Sequence, residues 1–149
     1  MWISEIAERS IMEAMAGLDV TMRASRVDND ATAPTERKDY PAMVIMASGG
    51  SRNSTEGVND TVPVAVTIIT HYKDDPKCTN LAALEDQFRK ILAEKIAVST
   101  IKTQFDAIAL AAGETRYMKG VTDIEGGMVN PSNAEQSIMT TMTIHVCGS

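Results

Sequence analysis

Between Val62 and Tyr72 the chain reads Val-Pro-Val-Ala-Val-Thr-Ile-Ile-Thr-His-Tyr. Val62, Val64, Val66, Ile68 and Tyr72 alternate with Pro63, Ala65, Thr67 and His71, the period that sends successive side chains to opposite faces of a strand. Pro63 stands at the start of the run, where a missing amide donor is tolerated. Such a strand has one apolar face to bury and a backbone to pair. The rest of the chain has to supply the neighbours and the cover.

Cover is available in two amphipathic segments. In residues 3–18, Ile3, Ile6, Ala7, Ser10, Ile11, Ala14, Met15 and Leu18 recur at helical spacing. Glu5, Glu8, Arg9 and Glu13 fall mostly on the other side, and Gly17 can end the helix. A second helix is expected over Leu81–Ile96, with Thr79 or Asn80 as its cap. Its buried stripe is Leu81, Leu84, Phe88, Ile91, Leu92 and Ile96, and Glu85–Arg89 and Asp86–Lys90 pair along it. Ile101, Phe105, Ile108 and Ala112 suit a short helix stopped by Gly113, although the β-branched residues around Val98–Ile101 oppose it.

Partner strands are expected at three places. Met43-Val44-Ile45-Met46 is a short apolar run bounded by Pro41 and Gly49. Arg116 to Ile124 is a weaker candidate. Near the end, Ile138, Met142, Ile144 and Val146 share one face, and Met139, Thr141, Thr143, His145 and Cys147 share the other. Residues 19–39 read as polar and irregular, and Gly49 to Thr61 reads as a long polar loop. Hairpin loops usually span about two to five residues, and longer ones tend to be functional or disordered. The expected fold is α+β, a mainly antiparallel sheet with helices packed on one face. Its order is N-terminal helix, strand, long loop, strand, helix, late strand, in a single domain over residues 1–149.

Charge narrows the function classes. Fourteen Lys and Arg against 20 Asp and Glu leave a net charge of −6. That balance opposes a free-standing grip on nucleic acid phosphates or on an anionic membrane. Arg23, Arg26, Arg37 and Lys38 are interleaved with Asp28, Asp30, Glu36 and Asp39, so they form a solvated mixed face. Aromatic residues, at 4%, are too few for a base-stacking platform. From Val121 to Ser149 there is no Lys or Arg, while Asp123, Glu125 and Glu135 contribute half of the net charge. Acids at positions 5, 8 and 13 are not those of a secretory signal, and no apolar run is long enough to span a bilayer. Cys78 and Cys147 are far apart and are expected to stay reduced in a cytoplasm.

No catalytic motif stands out. His71 and His145 both project from the polar faces of their strands, and a suitable register would make them neighbours with Cys147 beside them. Three such groups fall short of the usual four-ligand structural zinc site, and two solvent-facing histidines are the plainer reading. Asp74-Asp75, Asp28/Asp30 and Asp123/Glu125 lack calcium-loop spacing, and Gly49-Gly50 has neither the pattern nor the helix of a phosphate cradle. No catalytic, metal or cofactor residue is assigned.

The order of parts resembles a family. After the N-terminal helix and a variable segment, Pro41-Ala42-Met43-Val44-Ile45 leads into the first strand. A long polar loop follows, then VPVAVTIITHY, an Asp-rich turn, LAALEDQFRKILAEKI and the late strand Ser137–Val146. This arrangement resembles the tail terminator, or tail completion, proteins of tailed bacteriophages and related minor tail proteins. The resemblance covers most of the chain in architecture, and its residue-level match lies at the lead-in to the first strand and at 62–96. Residues 98–135 depart from the family pattern.

The resemblance implies a virion structural protein assembled in a host cytoplasm, and no enzyme. Its members form a homo-oligomeric ring, usually a hexamer, which caps the tail tube, stops polymerisation and offers the surface that joins the head. The implied partners are other copies of the chain, the tail tube protein, a neck or connector protein, and DNA passing through the channel without specific binding. No cofactor or membrane is implied. Arg52, Asn53, Glu56 and Asp60 become candidate contacts of an assembly loop, and Asp123, Glu125 and Glu135 candidate acids of the channel lining. Two other classes stay open: another head–tail connector, such as a head completion protein, and a cytoplasmic enzyme or small-ligand binder.

Overall fold

The computed structural model describes residues 2–29, 34, 36–48, 59–98, 100–114, 116–127, 130–132 and 135–147. The long alternating segment forms the strand β3 (Asn59–His71), preceded by α1 (Ile3–Ala14), β1 (Thr21–Ala24), a 3-10 turn (Arg37–Asp39) and β2 (Ala42–Ala47). After it come α2 (Thr79–Val98), α3 (Thr100–Ala111), β4 (Tyr117–Gly126), β5 (Asn130–Ser132) and β6 (Glu135–Cys147). The strands make one sheet in the order β1-β2-β3-β6-β4, with β5 also paired to β6. Among the described strand pairs only β1–β2 is parallel. The fold is α+β with a mainly antiparallel sheet.

The period-two pattern decides which side of the sheet is covered. Val62, Val64, Val66 and Ile68 of β3 are buried, as are Met142, Ile144 and Val146 of β6 and Met43, Ile45 and Ala47 of β2. They share one core cluster with Ile3, Ile6 and Ile11 of α1, Leu81, Phe88 and Leu92 of α2, and Ile101 and Phe105 of α3. Burying each such side chain contributes about 1.5–3 kcal/mol, so the helical layer and the inner sheet face hold each other in place. Ala42, Val44 and Ile69, on the other side of the sheet, are buried outside that cluster.

Several local expectations are corrected. Tyr72 lies beyond the end of β3 and is 55% exposed, so it leaves the buried face to which its parity assigned it. Residues 19–39 are not wholly irregular, because Thr21–Ala24 pairs with Ala42–Ile45. Helix α1 ends at Ala14, before Gly17. The segment at 101–112 does become a helix. It closes with Gly113 at φ 75°, the Glu114 amide donating to Ala109 O at 2.8 Å and the Gly113 amide to Leu110 O at 3.1 Å. That is the Schellman arrangement, in which a left-handed glycine satisfies the last carbonyls of a helix.

The cap of α2 comes from neither Thr79 nor Asn80. Asp75, buried at 5% exposure, accepts the amides of Asn80 and Leu81 at 2.9 Å each and the Thr70 hydroxyl at 3.0 Å. Burial alone would raise its pKa, but the amides of Asn80 and Leu81, the Thr70 hydroxyl and the Thr79 amide hold it below 3.8. Gln136 of β6 donates to the Asp75 carbonyl, tying the turn to the far strand.

Candidate assembly surface

The side of the sheet away from the helices is open over part of its area. Met46 of β2 stands opposite Ala65 of β3, Ala65 opposite Thr141 of β6, and Thr141 opposite Glu125 of β4. The adjacent row brings Pro63 opposite Thr143 and Thr143 opposite Thr122. Small side chains here lower the floor between two walls. The result is a shallow groove of about 430 Å³, with Met46 and Ser48 on one side and Asp123 and Glu125 on the other. Met46 is 50% exposed.

Asp123 reaches its place through a bulge. The register of β4 against β6 shifts between Thr122 and Glu125, and Asp123 takes φ 55°, a left-handed conformation that Asp tolerates better than most residues. Its carboxylate accepts the Thr122 hydroxyl at 3.1 Å, and Thr122 Oγ1 lies 2.6 Å from His145 Nε2. Asp123 and Glu125 have no ion pair among the described residues.

The sheet edges are less available than the face. In β1 the amides of Thr21 and Ser25 bond toward β2, to Pro41 O and Ile45 O, leaving the Ala24 amide pointing outward. Asp28 Oδ2 accepts it at 2.8 Å. At the other edge the Met118 amide of β4 donates to Asp106 Oδ1 at 2.8 Å. A carboxylate on an edge amide takes up a donor that an added strand would need.

The residues singled out by sequence do not all converge. Arg52, Asn53 and Glu56 lie outside the described residues. Asp60, expected in the polar loop, lies in β3, is half-buried and is engaged within the chain. Its Oδ1 accepts the Thr61 amide at 2.9 Å, and its Oδ2 lies 3.5 Å from Arg116 Nη1. The Arg116 side chain is 1% exposed and also meets Glu114, its Nε 3.1 Å from Glu114 Oε1. Asp60 therefore anchors the base of the polar loop. Glu135 sits at the start of β6, where Tyr40 Oη donates to it at 2.7 Å and also bonds Pro34 O. Burial and the Glu135 carboxylate push the Tyr40 phenol up to about 12. Glu135 is six residues along β6 from Thr141, the partner of Glu125, which is roughly 20 Å of strand. Asp123 and Glu125 share a wall, and Glu135 stands apart from them.

The two histidines are separated by the register. His71 pairs with Glu135 and His145 with Thr61, at opposite ends of the β3–β6 ladder. His71 meets the Tyr40 ring edge-on at 5.6 Å, and its Nδ1 accepts the Lys73 amide at 3.1 Å. Among the described residues no group of His, Cys, Asp and Glu is arranged to hold a metal ion. No described helix is long and apolar enough to cross a membrane.

Sequence reading also missed Glu8. It is fully buried and accepts Ser25 Oγ at 2.5 Å, the Arg26 amide at 2.6 Å, the Val27 amide at 3.2 Å and the Ala47 amide at 2.9 Å. Its position carries a signal, because Ser4, Glu8, Ile11 and Met15 form a helical stripe whose other members are all buried.

No protein-family model matches this chain, and no curated protein matches it. One solved structure aligns with 97% of this chain and 96% of its own at 9% sequence identity and a TM-score of 0.48.

Proposed function

We propose that this chain is a structural protein of the bacteriophage virion, a subunit of a homo-oligomeric ring that caps the tail tube. The ring ends tube polymerisation and offers the surface to which the head is joined. Its partners are other copies of itself, the tail tube protein and a neck or connector protein, with DNA passing through without specific binding.

The observation that carries this reading is the open part of the outer sheet face. Met46, at 50% exposure, walls a broad groove whose floor includes the small side chain of Ala65. The charged groups of the groove are two carboxylates on one wall, in an open, shallow site that suits a macromolecular partner better than a small substrate enclosed on all sides. The stretch from Val121 to Ser149, without Lys or Arg, supports passage of DNA by not retaining it.

The test is tube growth. Tail tube protein polymerised with increasing amounts of this protein should give tubes whose length distribution stops extending once their ends are saturated. Unchanged growth at a several-fold excess over tube ends would overturn the proposal.

A further inference from the structure

The ring reading leaves open which surfaces of neighbouring subunits meet, and two unlike features of the sheet answer it. The groove lies at mid-strand on the outer face, around Pro63–Ala65 of β3 and Thr141–Thr143 of β6. The turn after β3 lies seven residues beyond Ala65, roughly 23 Å along the strand. There Tyr72 is 55% exposed and flanked by exposed Lys73 and Lys77. The turn is compact: the Asp74 and Asp75 amides both donate to His71 O, and the buried Asp75 fixes its far side to α2. Arg37 takes up Asp74 through bonds of 2.6 and 3.1 Å, so that acid is neutralised locally. Neither Lys73 nor Lys77 makes an ion pair among the described residues. The turn at one end of the sheet thus presents an aromatic ring with two ammonium groups, and the middle of the outer face a groove with two carboxylates.

Resting on the ring reading above, we infer that the Tyr72–Lys77 turn of one copy seats in the Met46–Glu125 groove of the next. The phenol ring lies against Met46 and Ala65, and the ammonium groups face Asp123 and Glu125. The two surfaces are different, so the contact is head-to-tail, and it closes into a ring when the rotation per subunit divides a full turn. Aromatic anchors in pockets, with opposite charges at the rim, are the usual division of labour between affinity and orientation in such contacts. Asp123 and Glu125 are then consumed between subunits, and the channel wall is built from other residues.

The experiment uses reciprocal charge exchange on the full chain, read by sedimentation velocity. One variant carries Lys73→Glu and Lys77→Glu. The other carries Asp123→Asn and Glu125→Lys, Asn being chosen because it tolerates the left-handed backbone at 123. Tyr72→Ala is a third variant that leaves every charge in place. All are exposed positions, so circular dichroism should match that of the wild type. Wild type is expected at ring mass, each variant alone at subunit mass, and the two charge variants mixed should regain ring mass. Ring mass in every variant would overturn this contact while leaving the ring reading intact. Dispersed variants that stay apart when mixed would also overturn it. A wild type that remains monomeric at all concentrations overturns both.

Discussion

The carboxylate of Glu8, on the first helix, accepts the amide of Ala47, at the end of the second strand, at 2.9 Å. The same carboxylate holds the turn after β1 through Ser25, Arg26 and Val27. One buried acid thereby joins the helical layer, the parallel edge strand and the last residue of β2 before the polar loop. Ala47, the last residue of β2, and Asp60, near the start of β3 and paired with Arg116, are each tied to the rest of the fold.

Glu8→Ala removes the acceptor of four donors at once. Unsatisfied buried donors cost about 1–3 kcal/mol each, and partial relaxation makes the sum smaller than additive. Urea unfolding is expected to show a loss of about 3–5 kcal/mol. A loss below about 1 kcal/mol would mean that the acid is dispensable to the fold.

Asp75→Ala should cost about 1–3 kcal/mol at neutral pH, because α2 loses its cap and the Thr70 hydroxyl its acceptor. The folded pKa of Asp75 lies below its ordinary value of 3.8, so its contribution is fully present above that value. It is lost as pH falls through the lower folded value. The stability difference between wild type and variant should therefore be constant at pH 5–7 and narrow below 3.8. A constant gap through acid would contradict the assignment.

Tyr40 titrates in the other direction. Its folded pKa is raised from 10.0 to about 12, so the stability it contributes is complete below 10.0 and disappears as pH rises through about 12. Absorbance titration near the tyrosinate band should show a late step that Tyr40→Phe removes. At neutral pH the Phe variant should cost about 1 kcal/mol for the hydrogen bond lost to Glu135.

Replacing residues 51–58 with a Gly/Ser segment of equal length should leave the sheet folded, because Asp60 and its ion pair with Arg116 are spared. Arg116→Met keeps much of the side chain's bulk but takes the guanidinium from Glu114 and Asp60, and thermal melting should fall. Under the ring proposal, the loop replacement should melt like the wild type but fail to limit tube length. Tubes of normal length with the replacement would remove the loop from the contact with the tube.

The strands at 62–71 and 138–146 were legible because each has one face in the core and one outside, and burial writes that asymmetry into the residues. The helices were legible for the same reason at a different period. Register was not legible: nothing within either strand indicates that His71 faces Glu135 and not His145. The four residues of β1, Thr-Met-Arg-Ala, carry no alternation, and a parallel edge strand needs little. Glu8 and Asp75 escaped notice because hydropathy counts a carboxylate as exposed, whereas amides gathered at a chain turn or helix start can hold one in the interior. The outer groove is a property of four strands together, formed by Met46, Ala65, Thr141 and Glu125 in one row, and no single segment announces it.

The central claim, that this chain forms a ring on the end of a tail tube, is tested most directly by electron microscopy of purified protein mixed with tail tubes. The account predicts ring-shaped density at tube ends, built of several copies, with tubes in the mixture no longer growing. Density confined to the portal side of heads, with bare tube ends, would contradict it.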